Sequence, residues 1–164
     1  MKREDKKKVY MGLFVAFLMI SSTVGFMYGG SGETKTINNY KFKSTDNGWS
    51  VYIKELNQDF LFNYLPSEID FEVNMGGEIG GVVNFVGDMS DLYFYEFSNR
   101  FALLGVLVNR IDETDLDCSS ESINFVFSGE GHNKIYKEEN CVYLEGNNEI
   151  KLMDGLFYKI LGVI

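Results

Sequence analysis

VVNFVGDMSDLYFYEFSNRFALLGVLVN, residues 82–109, joins a continuous apolar run to a long segment of helical period. Val82 to Val86 is an apolar run broken only by Asn84 and ended by Gly87-Asp88, the pattern of a buried strand. Ser90 or Asp88 can then cap a helix by accepting a bond from a free N–H of its first turn. Phe94, Phe97, Phe101, Leu104 and Val108 follow at intervals of three and four residues, which predicts a helix to about Asn109 with one apolar stripe. Such a stripe faces a core, with a partner groove as the competing reading. Arg100 and Arg110 lie off the stripe and are expected to be exposed. A strand followed by a helix makes this a mixed fold.

On the amino-terminal side, glycines 76, 77, 80 and 81 precede the strand. A phosphate-binding loop follows a strand and opens a helix, and it carries Gly-Lys-Ser/Thr, which is missing here. These glycines therefore read as a turn or bulge, with Phe71-Glu72-Val73-Asn74 as a candidate short strand before them. Further back, Tyr40–Ser44 and Trp49–Lys54 alternate around Asp46-Asn47-Gly48, a strong hairpin signal. Leu56–Asp59 turns the chain into Phe60–Tyr64, and Pro66, which has no N–H to donate, closes a three-stranded meander. Residues 29–39, GGSGETKTINN, lack periodicity and read as a flexible tether.

On the carboxyl-terminal side, Ile123–Phe127, Lys134–Lys137 and Cys141–Glu145 predict a second meander. A final helix carries the stripe Ile150, Met153, Phe157, Ile160, Leu161 and Ile164. The expected architecture is α+β: one domain at 40–164 with antiparallel meanders of about six to seven strands and two amphipathic helices. Whether the meanders share a sheet is open.

Residues 9–28 are twenty uncharged, largely apolar residues behind MKREDKKK. About 20 such residues span a bilayer as a helix, whereas a cleaved signal has an apolar region of roughly 7–15 residues and a small-x-small exit. Thr23-Val24-Gly25 and Tyr28-Gly29-Gly30 are the only candidate exits. The run is read as a signal-anchor, with cleavage as the alternative. Its basic flank 1–8 stays in the cytoplasm, so residues 31–164 are expected outside it, in a single-pass cell-membrane protein. The first eight residues hold five of the 15 basic and two of the 24 acidic side chains, leaving a net charge of −12 beyond them. That charge repels phosphate backbones and excludes nucleic acid as a partner.

Cys118 and Cys141 are the two cysteines of the chain. In an oxidising compartment they read as a disulfide, with two free thiols or a metal site as alternatives. His132 is the single histidine, so four soft metal ligands cannot be assembled in one chain. Gly48-Trp49, Tyr64-Leu65-Pro66-Ser67-Glu68, Asn140-Cys141, Glu145-Gly146 and the ending Leu156-Phe157-Tyr158 with Leu161-Gly162-Val163-Ile164 resemble uncharacterised signal-anchored archaeal proteins. Asp154-Gly155 stands where that resemblance implies Asp-Arg. The resemblance implies an exported, disulfide-bonded α+β domain and supplies no activity.

Residues 111–119, IDETDLDCS, hold the densest carboxylate cluster. Asp115, Asp117 and Ser119 resemble the start of a calcium loop, which then fails at Ser120 and Val126. A solvated acidic loop is one reading, and weak Ca2+ binding through Asp112, Asp115 and Asp117 is the other. No other cofactor is expected. Carboxylate pairs for glycoside hydrolysis would come from separate elements, such as Glu68 with Asp88. His132 lies in a Gly-rich turn without a nucleophile elbow and reads as an exposed turn residue. Two functions follow. The first is a non-catalytic binding module, or small subunit of a cell-envelope complex, with a protein partner at the membrane face and the bilayer held by residues 9–28. The second is an exported carboxylate- or divalent-ion-dependent hydrolase.

Overall fold

A computed structural model describes residues 32–76 and 79–164. The chain divides into two units, Met1–Glu33 and Thr34–Ile164, and the account below concerns the second. The basic flank at 1–8 and the anchor at 9–28 lie outside the described residues. Among the described residues no helix is long and apolar enough to cross a membrane.

Four strands form the first sheet in the order β1-β2-β3-β4: β1 (Thr34–Ile37), β2 (Tyr40–Thr45), β3 (Gly48–Ile53) and β4 (Gln58–Phe62). All pairs are antiparallel. The meander therefore has four strands, not three, because part of the expected tether pairs as β1. Its turn is Asn38-Asn39, both at positive φ (49° and 69°), the conformation a two-residue hairpin demands. Asparagine tolerates that region through local hydrogen bonding. Polar composition hid the strand. Beyond β4, Pro66 opens a 3-10 turn, Pro66–Glu68, in which the Leu65 N–H donates to Glu68 Oε2 at 2.6 Å.

The second sheet has six strands: β5 (Val73–Asn74), β6 (Val82–Val86), β7 (Leu107–Arg110), β8 (Ile123–Ser128), β9 (Lys134–Glu138) and β10 (Cys141–Glu145). Their order is β5-β9-β10-β8-β6-β7. Only β9 and β10 pair antiparallel; β8 lies parallel to both β10 and β6, and β7 parallel to β6. The expected second meander is thus a β9–β10 hairpin beside a parallel β8. Hydropathy alternation cannot tell these pairings apart, because strand direction leaves the period of two unchanged. In total the described residues form ten strands.

Helix α1 (Asp91–Leu103) is capped by Ser90 and connects β6 to its parallel neighbour β7. It stops well before the expected Asn109. Gly105 takes φ +74°, and the Val106 N–H turns back to the Phe101 carbonyl at 3.0 Å, a left-handed stop. Val108 continues the apolar spacing by coincidence and belongs to a strand.

Helix α2 (Glu149–Ile160) buries seven consecutive residues, Leu152 to Tyr158. A one-sided stripe was expected; the helix is instead covered all round. Tyr158 meets the meander, stacked on Phe62 with ring centroids 4.1 Å apart and edge-on to Phe42 at 5.9 Å. Phe157 meets α1 through Phe101 at 4.9 Å and Phe97 at 6.2 Å. Phe97 in turn packs on Phe85 of β6 and Phe125 of β8. One continuous core therefore runs from the meander through the helices to the second sheet. Asn148 caps α2, accepting the Lys151 N–H at 3.0 Å and donating to the Tyr64 hydroxyl at 3.2 Å. Asn148→Ala is expected to lower stability by about 1 kcal/mol, as cap deletions do, read as a lower urea midpoint with an unchanged slope.

Candidate functional site

Two places gather charged side chains. The first is inside the core. Asp154 is fully buried, yet its carboxylate is saturated: Oδ1 accepts from Arg100 Nη1 at 2.7 Å, and Oδ2 accepts the Asn63 and Tyr64 N–H groups at 2.8 Å each. Burial pushes the Asp154 carboxyl above its ordinary range, and the Arg100 charge and the two amide donors oppose that push. Arg100 was expected to be exposed. It is 6% exposed, with its guanidinium against the rings of Phe62 and Phe157, and it also donates to Glu96 at 2.7 Å. Being planar, the guanidinium can lie on aromatic faces while its edge donates to both carboxylates. Tyr158 donates to the Tyr64 carbonyl at 2.5 Å, and burial raises its pKa. This cluster ties the meander to both helices. Its role is architectural.

The second place is open. A cleft of about 930 Å³ lies at the carboxyl ends of β6, β7 and β8. Connections leave β6 toward β7 on one side, while β8 lies on the other, so the strand order reverses here. In open sheets with parallel strands such a crevice is where ligands sit. Asp88 enters from the β6 end, Asp112 and Glu113 from the β7 end, and Glu130 from the β8 end. Gly87 permits the crowding, since at φ +127° a Cβ there would lie 2.3 Å from the Phe127 carbonyl oxygen. Among the described residues Arg110 is the one cation lining the cleft, and it is spent on the fold. It donates to Asp91 at 3.1 Å and to the Met89 carbonyl at 3.0 Å, and it stacks over Phe94. The cleft is left acidic.

The stretch from β7 to β8 returns across the sheet face opposite the helices. Phe85 and Phe125 touch α1, so the residues one position before them, Asn84 and Asn124, and Cys141 in register with Asn124, point the other way. The 111–122 strap covers those residues. Cys118 and Cys141 form the expected disulfide, with Cα atoms 5.1 Å apart. Asn124, 1% exposed, donates to the carbonyls of Asp117 at 2.9 Å and Ser122 at 3.1 Å and accepts from Asn84 at 2.9 Å. Asn140 donates to the carbonyls of Cys118 and Ser120.

Of the sequence candidates, Asp112 reaches the cleft, while Asp115 and Asp117 sit along the strap. Asp117 is turned onto its own loop, where the Ser119 hydroxyl at 2.7 Å, followed by the Ser119 amide, holds its pKa below the usual carboxylate range. Among the described residues no group of three or more His, Cys, Asp or Glu side chains is placed to hold a metal ion. Glu68 accepts the Leu65 N–H in its 3-10 turn. Asp88 neighbours Glu149, whose carboxyl is held above its ordinary range by burial and then by the Asp88 charge. His132 is exposed in the β8–β9 turn. On the strap side of the sheet, Tyr136 stacks on Tyr143 at 5.0 Å and donates to Glu145 at 2.5 Å, a bond that raises its pKa to about 12.

Sequence reasoning missed Asp154, although one visible signal marked it: a lone carboxylate inside Leu152-Met153-Asp154-Gly155-Leu156-Phe157. Comparison of the chain with protein-family models, with curated proteins and with solved structures finds no match.

Proposed function

We propose that residues 34–164 form a non-catalytic binding module, held at the outer face of the cell membrane by the 9–28 anchor. In this reading the module engages a cationic ligand or the basic surface of a cell-envelope partner through the acidic cleft. The supporting observation is the set of carboxylates from three strand ends, Asp88, Asp112 with Glu113, and Glu130, around a cleft whose one arginine is already paired. The net charge of −12 beyond the first eight residues acts in the same direction, drawing cations toward the domain.

The test is calorimetric titration of the full-length protein in detergent micelles with spermine. Saturable binding is expected, weakened at least tenfold by Asp112→Asn with Glu130→Gln, and weakened by salt as exposed charge pairs are. Binding that ignores both substitutions removes the cleft from the proposal. Topology is read separately by adding protease to intact cells, where removal of 31–164 is expected and a protected domain overturns the orientation.

A hydrolase is the second reading, drawn from the Asp88–Glu149 neighbourhood. A carboxyl held above its ordinary range by burial, beside a second carboxylate, is the arrangement of a general acid with its partner. Turnover of aryl glycosides that is lost in Glu149→Gln would favour it over the module.

A further inference from the structure

We propose that β4 and α1 form a docking groove in which an extended segment of a partner protein adds as a fifth strand to the meander, with alternating apolar and basic side chains. This site is distinct from the acidic cleft and stands without it.

Among the described residues β4 is an edge strand, paired with β3 alone. Alternate residues of an edge strand direct N–H and C=O groups outward, a template for a further strand unless charge, proline or a covering element blocks it. The opposite edge of the same sheet, β1, is Thr34-Lys35-Thr36-Ile37, largely polar and exposed. β4 reads Gln58-Asp59-Phe60-Leu61-Phe62, with neither lysine nor proline, and Leu61 is 45% exposed. Beside it runs a groove of about 690 Å³, walled on the far side by α1 through Glu96, Asn99, Ala102 and Leu103. Leu103 is 43% exposed. The helix stands off from the strand edge instead of sealing it.

The groove specifies its occupant. Phe60 and Phe62 face the core, so Asp59 and Leu61 lie on the outer face of the sheet. A strand laid along β4 therefore directs alternate side chains inward, toward Phe60, Ala102 and Leu103, and these must be apolar. Its remaining side chains lie outward beside Asp59 and Leu61, where a basic group finds an opposite charge. Arg100, the one cation of the groove among the described residues, is committed to Asp154 and Glu96, so the groove retains negative charge. A second copy of this chain is the poorer occupant, since it would bring another acidic surface to the same edge. Strand addition derives affinity from main-chain bonds and selectivity from alternate pockets, which is the division found here.

The experiment uses the isotope-labelled full-length protein in detergent micelles. It is titrated with an end-blocked heptapeptide of alternating lysine and valine, and with a glutamate–valine counterpart. Amide shifts are expected at Gln58–Phe62 and along the outer face of α1 with the basic peptide. Affinity should fall at least tenfold for the glutamate peptide, for Asp59→Lys and for Leu61→Asp. Both substituted side chains are exposed, and unchanged thermal unfolding would show that the variants still fold. A lysine–valine peptide N-methylated at alternate amides should also lose at least tenfold. Absence of binding overturns the proposal, as do shifts confined to Asp88, Asp112 and Glu130. A doubled mass by light scattering without peptide, abolished by Leu61→Asp, replaces the peptide with self-pairing and overturns it equally.

Discussion

Asp154→Ala is expected to destabilise the domain by ~3–5 kcal/mol, the usual result of removing one partner from a buried ion pair. The substitution deletes the acceptor of Arg100 and of the Asn63 and Tyr64 amides together. Arg100, 6% exposed, would keep only Glu96, whose side chain is 38% exposed. Against a total stability of about 5–15 kcal/mol for a domain, this is a large share. Urea unfolding followed by the fluorescence of Trp49, the one tryptophan, should show a much lower midpoint. Glu96→Gln removes the solvent-facing arm of the same arginine and should cost less than about 1 kcal/mol. Arg100→Met combined with Asp154→Leu should recover part of the loss by removing both charges. Recovery cannot be complete, because the two amides lose their acceptor at about 1–3 kcal/mol each. Wild-type stability in Asp154→Ala would show that the pair does not hold the meander to the helices.

The second large effect concerns the strap. Replacing Cys118 and Cys141 together by serine is expected to cost on the order of 3 kcal/mol in the chain-entropy model, for a cross-link spanning 23 residues. Reduction by dithiothreitol should produce a similar drop. The loss should be unevenly distributed. Hydrogen exchange is expected to accelerate most along 111–122, whose remaining ties include the side-chain bonds of Asn124 and Asn140 and the backbone bonds of Ile111 to Phe85 and Asn140 to Cys118. The β1–β4 meander, far from the cross-link in chain order and separately paired, should change little. An unchanged urea midpoint in the double variant would mean that the asparagine network alone holds the strap.

Legibility in the sequence followed the range of the interaction. Strands β2, β3, β4, β6, β8, β9 and β10 were visible as apolar runs between turn residues, because alternation and turn chemistry act within a few residues. β1 and β7 were not. The first is polar except for Ile37 at its end, and the second continues the helical spacing of α1 by chance after Gly105. The disulfide was legible by counting, since two cysteines leave one pairing. The acidic cleft was legible only as the 111–119 carboxylate cluster, which supplies Asp112 and Glu113. Its other carboxylates come from strand ends separated by more than forty residues of chain, from Asp88 to Glu130, and only the parallel pairing of β6, β7 and β8 brings them to one rim.

The sequence by itself determined the α+β class, the Asn-Gly hairpin turn, the presence of two helices, the cross-link and the acidic charge. Each is fixed by local geometry, composition or elimination. Tertiary structure decided strand direction, the burial of α2 on every side, and the fate of Arg100 and Asp154. The physical reason is that a charge's cost depends on what surrounds it. Arg100 reads as a surface residue when its helix is considered alone. It becomes an interior tie only because Asp154, 54 residues later, and two amides of the meander arrive at the same point.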